Sequence, residues 1–423
     1  MKHLRSLFAW GVFVALFAVV GLLSVNAAEA SAHEKLLHSF GSGTDGAYPF
    51  DTPIFDAKGN MYGTTWEGGT GGYGVVFEMS PTAKGGWTEQ VLYNFVGRPN
   101  DGGRVSGGLV RDKAGNLYGT SRAGGSESCN GACGTVFELS PSNGTWKESV
   151  LYFFAGGEDG DHPYSGLAID DAGNLYGTTH DGGANDKGTV FELSFSGGTW
   201  TKTKLLDFGG TAGEYPVAAP ILDASGNLYG TTSSGGTKNG GGTAFELTNS
   251  GSGWTETILH NFLGGTDGQE PSAGLIFDHA GNLYGTTFYG GAGGCQGGCG
   301  TVFELSPSSG GWTETIIQNF TQDATGYHLN SGVIMGAKGK IYGTTRDGGN
   351  LKQCVPTGCG TVFEMVFSNG AWTRTRLYSF GGFNLHDGSV PFAGVVLNRK
   401  GHLIGTTVFG GANHPGTVYE VTP

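Results

Sequence analysis

Short apolar runs alternate with glycine-rich turns along almost the whole chain, and the same order of runs occurs seven times. Each copy contains the phrase G-N-L-Y-G-T-T or a close variant, and successive copies are 53 to 62 residues apart. Within a copy, turn residues separate four runs of β-type composition, which in the second copy are GGLVRD, NLYGTS, GTVFELS and TWKESVLYFF. We name these predicted strands a, b, c and d. The phrase begins at Gly59, Gly115, Gly173, Gly226, Gly281, Gly339 and Gly401.

A four-strand unit repeated in tandem predicts a β-propeller, in which strand a lines the central channel and strand d lies outside. A d-type run without a partner, from Glu34 to Phe40, precedes the first a run, and the last copy stops after its c run. The two fragments complete one blade, which closes the ring and removes the exposed sheet edge of an open array. We therefore predict an all-β, seven-bladed propeller that forms a single domain over residues 33–423.

Several residues recur at one place in all or nearly all copies, and we interpret them as framework. The Tyr of Y-G-T-T, the Phe of V-F-E and the Trp that opens the d runs are expected to pack blade against blade. A repeated c-run glutamate suggests carboxylate catalysis, but seven copies around a ring cannot converge on one substrate. We expect each to accept hydrogen bonds within its own blade. These glutamates are Glu78, Glu138, Glu192, Glu246, Glu304, Glu364 and Glu420.

The N-terminal segment 1–27 has the pattern of a secretory signal. Lys2 and Arg5 precede an apolar run, and small residues suited to cleavage follow near Ala27 or Ala30. The alternative is an uncleaved membrane anchor, because the apolar run approaches the length of a membrane helix. With the signal removed, we expect no membrane span and a secreted protein, either extracellular or periplasmic.

The charge of the chain excludes one class of partner. Its formal net charge is −13, and the sequence has no cluster of Lys and Arg of the kind that binds phosphates. We therefore expect no nucleic-acid partner, and the acidity is sufficiently explained by solubility. We also expect no cofactor, no metal ion and a monomer.

The six cysteines occur as three close pairs, each in a b-to-c loop just before strand c. This placement favours three local disulfides in an oxidising compartment. A zinc site usually needs four ligands, and each loop offers two with no nearby His, although four thiolates spanning blades 5 and 6 are an alternative. A redox pair would favour a helix start, and none is predicted. The pairs are Cys129 and Cys133, Cys295 and Cys299, and Cys354 and Cys359.

The two positions after each Y-G-T-T differ from copy to copy, whereas the framework around them is constant. They lie on the face that carries the b-to-c loops and the d-to-a links. A composite site assembled from several blades needs such variation, although exposed positions free to drift would vary in the same way. Aromatic residues here are suited to stacking on sugar rings, and Arg to binding carboxylate or hydroxyl groups. The predicted binding residues are Trp66, Arg122, His180, Tyr215, Phe288, Tyr289, Arg346 and Asp347.

Catalysis on the same face is an alternative. His180 or Tyr289 would act as general base in the eliminative cleavage of a uronate, or Glu67 and Asp181 would form a hydrolase pair. The chain has no nucleophile elbow, H-E-x-x-H motif or phosphate loop. The prediction is a binding or interaction module for glycans or envelope partners. A polysaccharide lyase or glycoside hydrolase is the first alternative, and a protein-binding envelope scaffold is the second.

The phrase G-N-L-Y-G-T-T, a Gly-Gly spacer and G-T-V-F-E-L together resemble the GloVer tandem repeat of bacterial secreted and surface proteins. The resemblance covers nearly the whole chain after the signal. It implies a propeller-like fold and export, and it implies no catalytic residues. Proteins of that choice-of-anchor family carry an interchangeable C-terminal sorting anchor. This sequence ends at Pro423 directly after a blade strand, so we do not expect surface retention by that route.

Overall fold

The computed structural model describes residues 33–41, 43–97, 99–125, 133–237, 240–382 and 386–423. These residues form seven four-stranded antiparallel sheets, each with its strands in the order a-b-c-d, and two short two-stranded ladders. The predicted all-β, seven-bladed propeller is confirmed. The predicted signal 1–27 and its cleavage sites lie outside the described residues. No helix in the described ranges has the length and apolar composition to cross a membrane.

The inner two strands of each blade are short. Strands a are Ile54–Phe55, Val110–Arg111, Ala168–Ile169, Ile221–Leu222, Ile276–Phe277, Ile334–Met335 and Val395–Leu397. Strands b are Met61–Thr64, Leu117–Ser121, Leu175–Thr179, Leu228–Thr232, Leu283–Thr287, Ile341–Thr345 and Leu403–Thr407. Strands b are buried along their whole length, because neighbouring blades cover both faces.

The outer two strands are longer and form the outer part of each blade. Strands c are Val75–Pro81, Thr135–Ser142, Thr189–Ser196, Thr243–Asn249, Thr301–Ser308, Thr361–Ser368 and Thr417–Val421. Strands d are Trp87–Asn94, Thr145–Phe153, Thr199–Asp207, Trp254–Asn261, Gly311–Asn319, Ala371–Ser379 and, for blade 7, Glu34–Ser39. The ladders pair Gly102–Gly103 with Ala123–Gly124 and Gly388–Ser389 with Phe409–Gly410. Four short 3₁₀ turns are Gly157–Asp159, Gly210–Ala212, Gly265–Asp267 and Ala337–Gly339.

The N-terminal strand closes the ring. Glu34–Ser39 pairs antiparallel with Thr417–Val421, the last strand of the chain, so blade 7 is built from both ends of the sequence. This pairing supplies the outer strand that the last repeat lacks, as predicted. It removes a free sheet edge and places no break in the ring.

The hydrophobic core lies between the blades. The described residues contain seven apolar clusters, and each cluster combines side chains from two neighbouring blades. The Trp that opens strand d packs across the same interface, as Trp146 of blade 2 does against Tyr62 of blade 1, with 6.1 Å between ring centroids. The repeated glycine of Y-G-T-T makes room for this core, since a Cβ on Gly177 would lie 2.5 Å from the ring of Phe191.

The repeated c-run glutamates have the framework role predicted for them. Each accepts a hydrogen bond from a side chain of its own blade, for example Glu246 from Tyr229 at 2.8 Å and Glu304 from Ser306 at 3.0 Å. The same holds for the other five. These carboxylates are therefore structural and lie away from the channel.

Every strand d carries a β-bulge, which the sequence analysis does not predict. Its pairing with strand c shifts by one residue at the same place in all seven blades. The extra residue is always aliphatic, so the bulge adds local twist without exposing a polar group to the core. The bulged residues are Leu37, Leu92, Leu151, Leu205, Leu259, Ile317 and Leu377.

We predict that Phe40→Ala will destabilise the whole ring. The Phe40 side chain is fully buried between blades 7 and 1, with its ring centroid 5.3 Å from that of Phe77. Removing a buried Phe side chain costs about 3–5 kcal/mol, which chemical denaturation will measure as free energy of unfolding. Phe262→Ala, at the same place between blades 4 and 5, should cost a similar amount. A near-neutral Phe40→Ala would mean that ring closure does not support the fold.

Candidate functional site

At one equivalent position of every d-to-a link the residue adopts a left-handed backbone conformation, with φ between 53° and 59°. None of the seven is glycine, although L-residues avoid this region and a β-branched side chain such as that of Val390 rarely enters it. In five blades a proline follows directly. Strain repeated at one position in all seven blades must be held by surrounding contacts. The residues are Tyr48, Arg104, His162, Tyr215, Glu270, His328 and Val390.

Two backbone hydrogen bonds hold each left-handed residue between two blades. Its N–H donates to a carbonyl in the b-to-c loop of the preceding blade, at 2.7–3.1 Å. Its own carbonyl accepts from the amide of the first residue after Y-G-T-T in the following blade, at 2.8–3.3 Å. For example, Tyr215 donates to Lys187 and accepts from Ser233. The links therefore position the variable residues.

The two residues that end Y-G-T-T complete this positioning. The second, a Thr or in blade 2 Ser121, donates to the carbonyl of the second variable residue in all seven blades, at 2.8–3.0 Å. The first Thr donates to a link carbonyl of the next blade in six blades. One of these bonds crosses the ring closure, from Thr406 to Asp51 at 3.0 Å. In blade 1 the hydroxyl of Thr64 is buried without a hydrogen-bond partner.

A cavity of about 980 Å³ opens at the centre of the face that carries the variable loops. Two positions per blade form its wall: the first residue after Y-G-T-T and the second residue after the left-handed one. Deeper residues of strands a, such as Ile276 and Ile334, line it as well. The first position supplies Trp66, Arg122, His180, Ser233, Phe288 and Arg346. The second supplies Phe50, Ser106, Tyr164, Val217, Ser272, Asn330 and Phe392.

Aromatic side chains are concentrated on one side of the cavity, where blades 7 and 1 meet. The ring of Phe50 lies 5.5 Å from that of Trp66 and 5.2 Å from that of Phe392. At the rim beside them, Tyr48 packs on Phe409 at 5.7 Å. Phe392 and Phe409 are exposed. The sequence analysis identified only Trp66 in this sector. The Pro-Phe pairs at Pro49 and Pro391 are the sequence feature that could have identified Phe50 and Phe392.

Cationic side chains lie directly beside this aromatic wall. The Arg122 guanidinium carbon lies 4.7 Å from the ring centroid of Tyr164 and 5.7 Å from that of Trp66, and Arg104 lies 5.7 Å from Trp66. Within the described ranges no carboxylate pairs with either arginine, and the Nε of Arg122 is buried without an acceptor. The two guanidinium groups in this corner of the cavity are therefore available to bind an anion.

Carboxylates hold two histidines of the site in place. His180 lines the cavity, receives a stacked Tyr215 ring at 5.0 Å and is bonded through Nδ1 to Asp181 at 3.0 Å. His328 stacks on Phe288 at 4.6 Å, and its Nδ1 is 2.7 Å from the buried Asp347.

The structure brings six of the eight predicted binding residues together in the cavity wall: Trp66, Arg122, His180, Phe288, Tyr289 and Arg346. Tyr215 and Asp347 lie behind the wall and support His180 and His328. Of the catalytic candidates, His180 and Tyr289 line the cavity, whereas Glu67 and Asp181 do not. The backbone of Glu67 pairs with Ala47, and that of Asp181 with Asp161.

Asp51 is a cavity residue that the sequence analysis missed. It lies one residue after Phe50, where the other six blades place Gly, Ser or Ala. Its Oδ1 accepts from the Thr52 amide at 2.6 Å. Desolvation by burial raises the pKa of Asp51 to about 7, against the lowering effect of that hydrogen bond. The cavity wall thus includes a carboxyl group with a pKa near neutral pH, and burial also raises the pKa of Glu270 in the same wall.

Two of the predicted disulfides are present, Cys295–Cys299 and Cys354–Cys359. They are local loop closures, as predicted. Cys129 of the third pair lies outside the described residues. The carbonyls of Cys133, Cys299 and Cys359 accept from the left-handed residues His162, His328 and Val390. The two disulfide loops therefore support the d-to-a links of blades 6 and 7, and Cys133 supports that of blade 3.

The sequence matches the family model of the Gloeobacter/Verrucomicrobia repeat over residues 24–221 and 126–356. These ranges cover well over half of the chain. The chain belongs to this repeat family. No curated protein has a sequence similar enough to this chain to be counted as a relative.

Solved structures with TM-scores just above 0.5 share the fold at low sequence identity. A Lactobacillus plantarum protein is 12% identical, with a TM-score of 0.51 over 85% of this chain and 87% of that one. PorZ of Porphyromonas gingivalis, a surface component of its type-IX secretion system, is 14% identical, with a TM-score of 0.51 over 88% of this chain. Trypanosoma rangeli sialidase is 12% identical over 81% of this chain, with a TM-score of 0.40. The chain spans 57% of the sialidase and 46% of PorZ.

Opening the Cys295–Cys299 disulfide should loosen one link without unfolding the protein. A loop this small contributes modestly to global stability. In Cys295→Ser/Cys299→Ser, we expect faster amide hydrogen exchange at His328, whose N–H donates to Cys299. The Glu270 amide, which donates to Gly241 in a blade without cysteine, is the matched control and should not change. Unchanged exchange at His328 would show that the disulfide does not support the link.

Asp51→Asn should become more stabilising relative to the wild type as pH rises. A carboxyl group whose pKa is higher in the folded than in the unfolded protein stabilises the folded state fully at pH values below the unfolded-state pKa. This stabilisation is lost as the pH rises to the folded-state pKa. With values of 3.8 unfolded and about 7 folded, the advantage of Asn should grow between about pH 4 and pH 7 and stay constant above. Denaturation of both proteins across this range measures it. Parallel pH profiles would contradict the assignment.

Proposed function

We propose that this protein is an exported binding module that takes the end of an acidic saccharide into its central cavity. The observation that carries the proposal is the pairing of an aromatic wall with an arginine that has no carboxylate partner in the described structure. Trp66 and Arg122 occupy equivalent positions in adjacent blades, and the guanidinium lies 5.7 Å from the Trp66 ring. A sugar ring bearing a carboxylate meets both chemistries at once.

The aromatic wall suits the apolar face of a pyranose. Phe50, Trp66 and Phe392 form a continuous set of rings at 5.2–5.5 Å spacing, open to solvent at the rim. Aromatic residues with this exposure contribute contact area at low entropy cost. A solvent-exposed aromatic cluster beside a cavity is typical of a binding surface.

Other blades offer hydrogen-bonding groups to the hydroxyl groups of a sugar. Ser106, Ser272 and Asn330 come from the same position that supplies the aromatic residues in blades 1 and 7. A small number of convergent polar groups in an otherwise apolar cavity is characteristic of small-molecule sites. The carboxylate of the ligand is assigned to Arg122, because the planar guanidinium binds a carboxylate with two parallel hydrogen bonds.

Export and surface location belong to the same proposal. The signal-like pattern of residues 1–27, the disulfides and the repeat family favour a secreted or periplasmic protein. Polysaccharides of the cell envelope or the surroundings are the corresponding ligands. An envelope protein presenting an acidic side chain is the alternative partner of the same cavity.

Polysaccharide cleavage is a second candidate, favoured by two titratable groups in the cavity. The pKa of Asp51 is raised to about 7, as a general acid near neutral pH requires, and His180 is oriented by Asp181. Incubation with acidic polysaccharides tests this candidate directly. Unsaturated or hydrolysed oligosaccharides that disappear in Asp51→Asn or His180→Ala would establish an enzyme.

Binding is tested with oligogalacturonate and its methyl ester, which differ in the charge of the carboxyl group. Calorimetry should show binding of the acid and weaker binding of the ester. Arg122→Ala should weaken binding of the acid about 10- to 100-fold, the usual value of a hydrogen bond to a charged group. Trp66→Ala should weaken binding of both compounds.

Matched controls come from the opposite face of the ring. Phe195→Ala removes an aromatic side chain that is 58% exposed, and Arg399→Ala removes an exposed arginine whose guanidinium donates to Ala57. Neither should alter affinity. The saccharide assignment is wrong if Trp66→Ala and Arg122→Ala bind like the wild type, or if the controls lose as much affinity.

A further inference from the structure

A second set of polar side chains lies at the outer junctions between blades, away from the cavity. Six residues before the Phe that directly follows each strand d, one long side chain faces the d-to-a link that leads into its own blade. We call this position the junction residue. The junction residues are Glu34, Glu89, Glu148, Lys202, Glu256, Glu314 and Arg374.

Two of the seven junction residues are cations, and their contacts show what this place binds. The Lys202 ammonium donates to the backbone carbonyl of Asp159 and, at 2.8 Å, to its carboxylate, and its side chain is only 5% exposed. Arg374 donates to the Gly326 carbonyl at 3.2 Å and to the Thr325 hydroxyl. At both junctions the oxygen atoms of the link surround a positive charge.

At the other five junctions the residue is a glutamate. Its carboxylate oxygens, which accept hydrogen bonds, then face the link oxygens, which are also hydrogen-bond acceptors. The Oε1 of Glu34, Glu89, Glu148, Glu256 and Glu314 is buried and lacks a hydrogen-bond partner in the described structure. A buried oxygen without a donor is costly. A proton, a water molecule or a bound cation between the glutamate and the link would relieve that cost.

The junction of blades 4 and 5 has the donor set of a metal site. One ligand atom each from His260, Asp267 and Glu314 lies within 4.8 Å of the others. His260 Nε2 is 3.0 Å from Asp267 Oδ1, and the second oxygen of Asp267 accepts from the Leu263 amide at 2.6 Å, which fixes its orientation. One imidazole and two carboxylates are ligands that zinc takes with an open position for water.

We propose that a zinc-class divalent cation binds His260, Asp267 and Glu314 and cross-links blades 4 and 5. Zinc holds such ligands at about 2.0–2.2 Å, so closure requires side-chain movements on the order of 1 Å. The ion takes the place that the Lys202 ammonium takes at the junction of blades 2 and 3. It joins strand d of blade 4, the link and strand d of blade 5, and it satisfies the buried oxygen of Glu314.

The junction of blades 3 and 4 provides the matched control. Glu256 has the same buried, unpartnered Oε1, but Ala212 replaces the link Asp and Leu206 replaces the His. A metal has one ligand there, so a proton or a water molecule relieves the oxygen instead. Burial raises the pKa of Glu256 to about 7. The pair Glu314→Gln and Glu256→Gln therefore separates metal binding from protonation.

The test uses tag-free protein residues 28–423, first treated with a chelator and then titrated with Zn²⁺. Equilibrium dialysis should show one Zn²⁺ fewer bound to Glu314→Gln and to His260→Gln than to the wild type and Glu256→Gln. Zn²⁺ should raise the melting temperature of the wild type and of Glu256→Gln more than that of the two site variants. Ca²⁺, which prefers oxygen ligands, should bind more weakly at this site.

The proposal is overturned if Zn²⁺ binds Glu314→Gln and His260→Gln with the wild-type stoichiometry, or if the wild type binds none. It is also overturned if Glu314→Gln and Glu256→Gln respond identically to Zn²⁺, because the glutamates then hold protons only. Stoichiometry is compared only among variants whose circular dichroism spectrum matches that of the wild type. The two site variants remove different ligand atoms, so misfolding of one does not prevent the test.

Discussion

The hydrogen bonds of the left-handed link residue are the constraint on which the rest of this structure depends. Each link must leave the outer edge of one blade and enter the centre of the next, and a residue with φ near 55° makes that turn. Its N–H and C=O then connect the preceding b-to-c loop to the following strand b. The same two bonds that join the blades also fix the backbone from which the cavity side chains project.

This arrangement separates stability from specificity. The apolar clusters, the glycine under the phenylalanine ring and the threonine hydroxyls use residues that recur in every blade, so they stabilise the ring whatever the cavity contains. The two wall positions vary only in their side chains, and the amide of the first position is already bonded to the link. Phe50 and Trp66 in blade 1 and Val217 and Ser233 in blade 4 therefore occupy equivalent backbone positions with different chemistry. A propeller of this kind can change ligand without changing fold.

Much of the fold could be predicted from the sequence because each blade repeats the same local signals. Turn glycines, apolar alternation and the split of blade 7 between Glu34–Ser39 and the C-terminal strand specify the ring. The bulges in strand d could not be predicted, because Leu92 or Leu151 continues an apolar run and nothing marks it as the extra residue. The left-handed residues were hidden too, since their side chains share no chemistry and the strain comes from contacts distant in sequence.

Part of the site could also be predicted, because the repeated phrase marks the positions that vary. Trp66 and Arg122 follow a repeated phrase, so their variation is visible. Asp51 lies in an unremarkable stretch, and only the ring brings it to the channel. The junction glutamates lie in an alternating strand, where Thr-Glu-Thr predicts a solvated face. Their burial depends on the neighbouring blade, which no local pattern reveals.

A crystal structure of the protein with a bound acidic oligosaccharide tests the central claim most directly. The account predicts a sugar ring against Trp66 and Phe50, its carboxylate on the Arg122 guanidinium, and the seven link residues unchanged in backbone conformation. A saccharide bound on the opposite face or along the outer blade edges, with the central cavity empty, would contradict it.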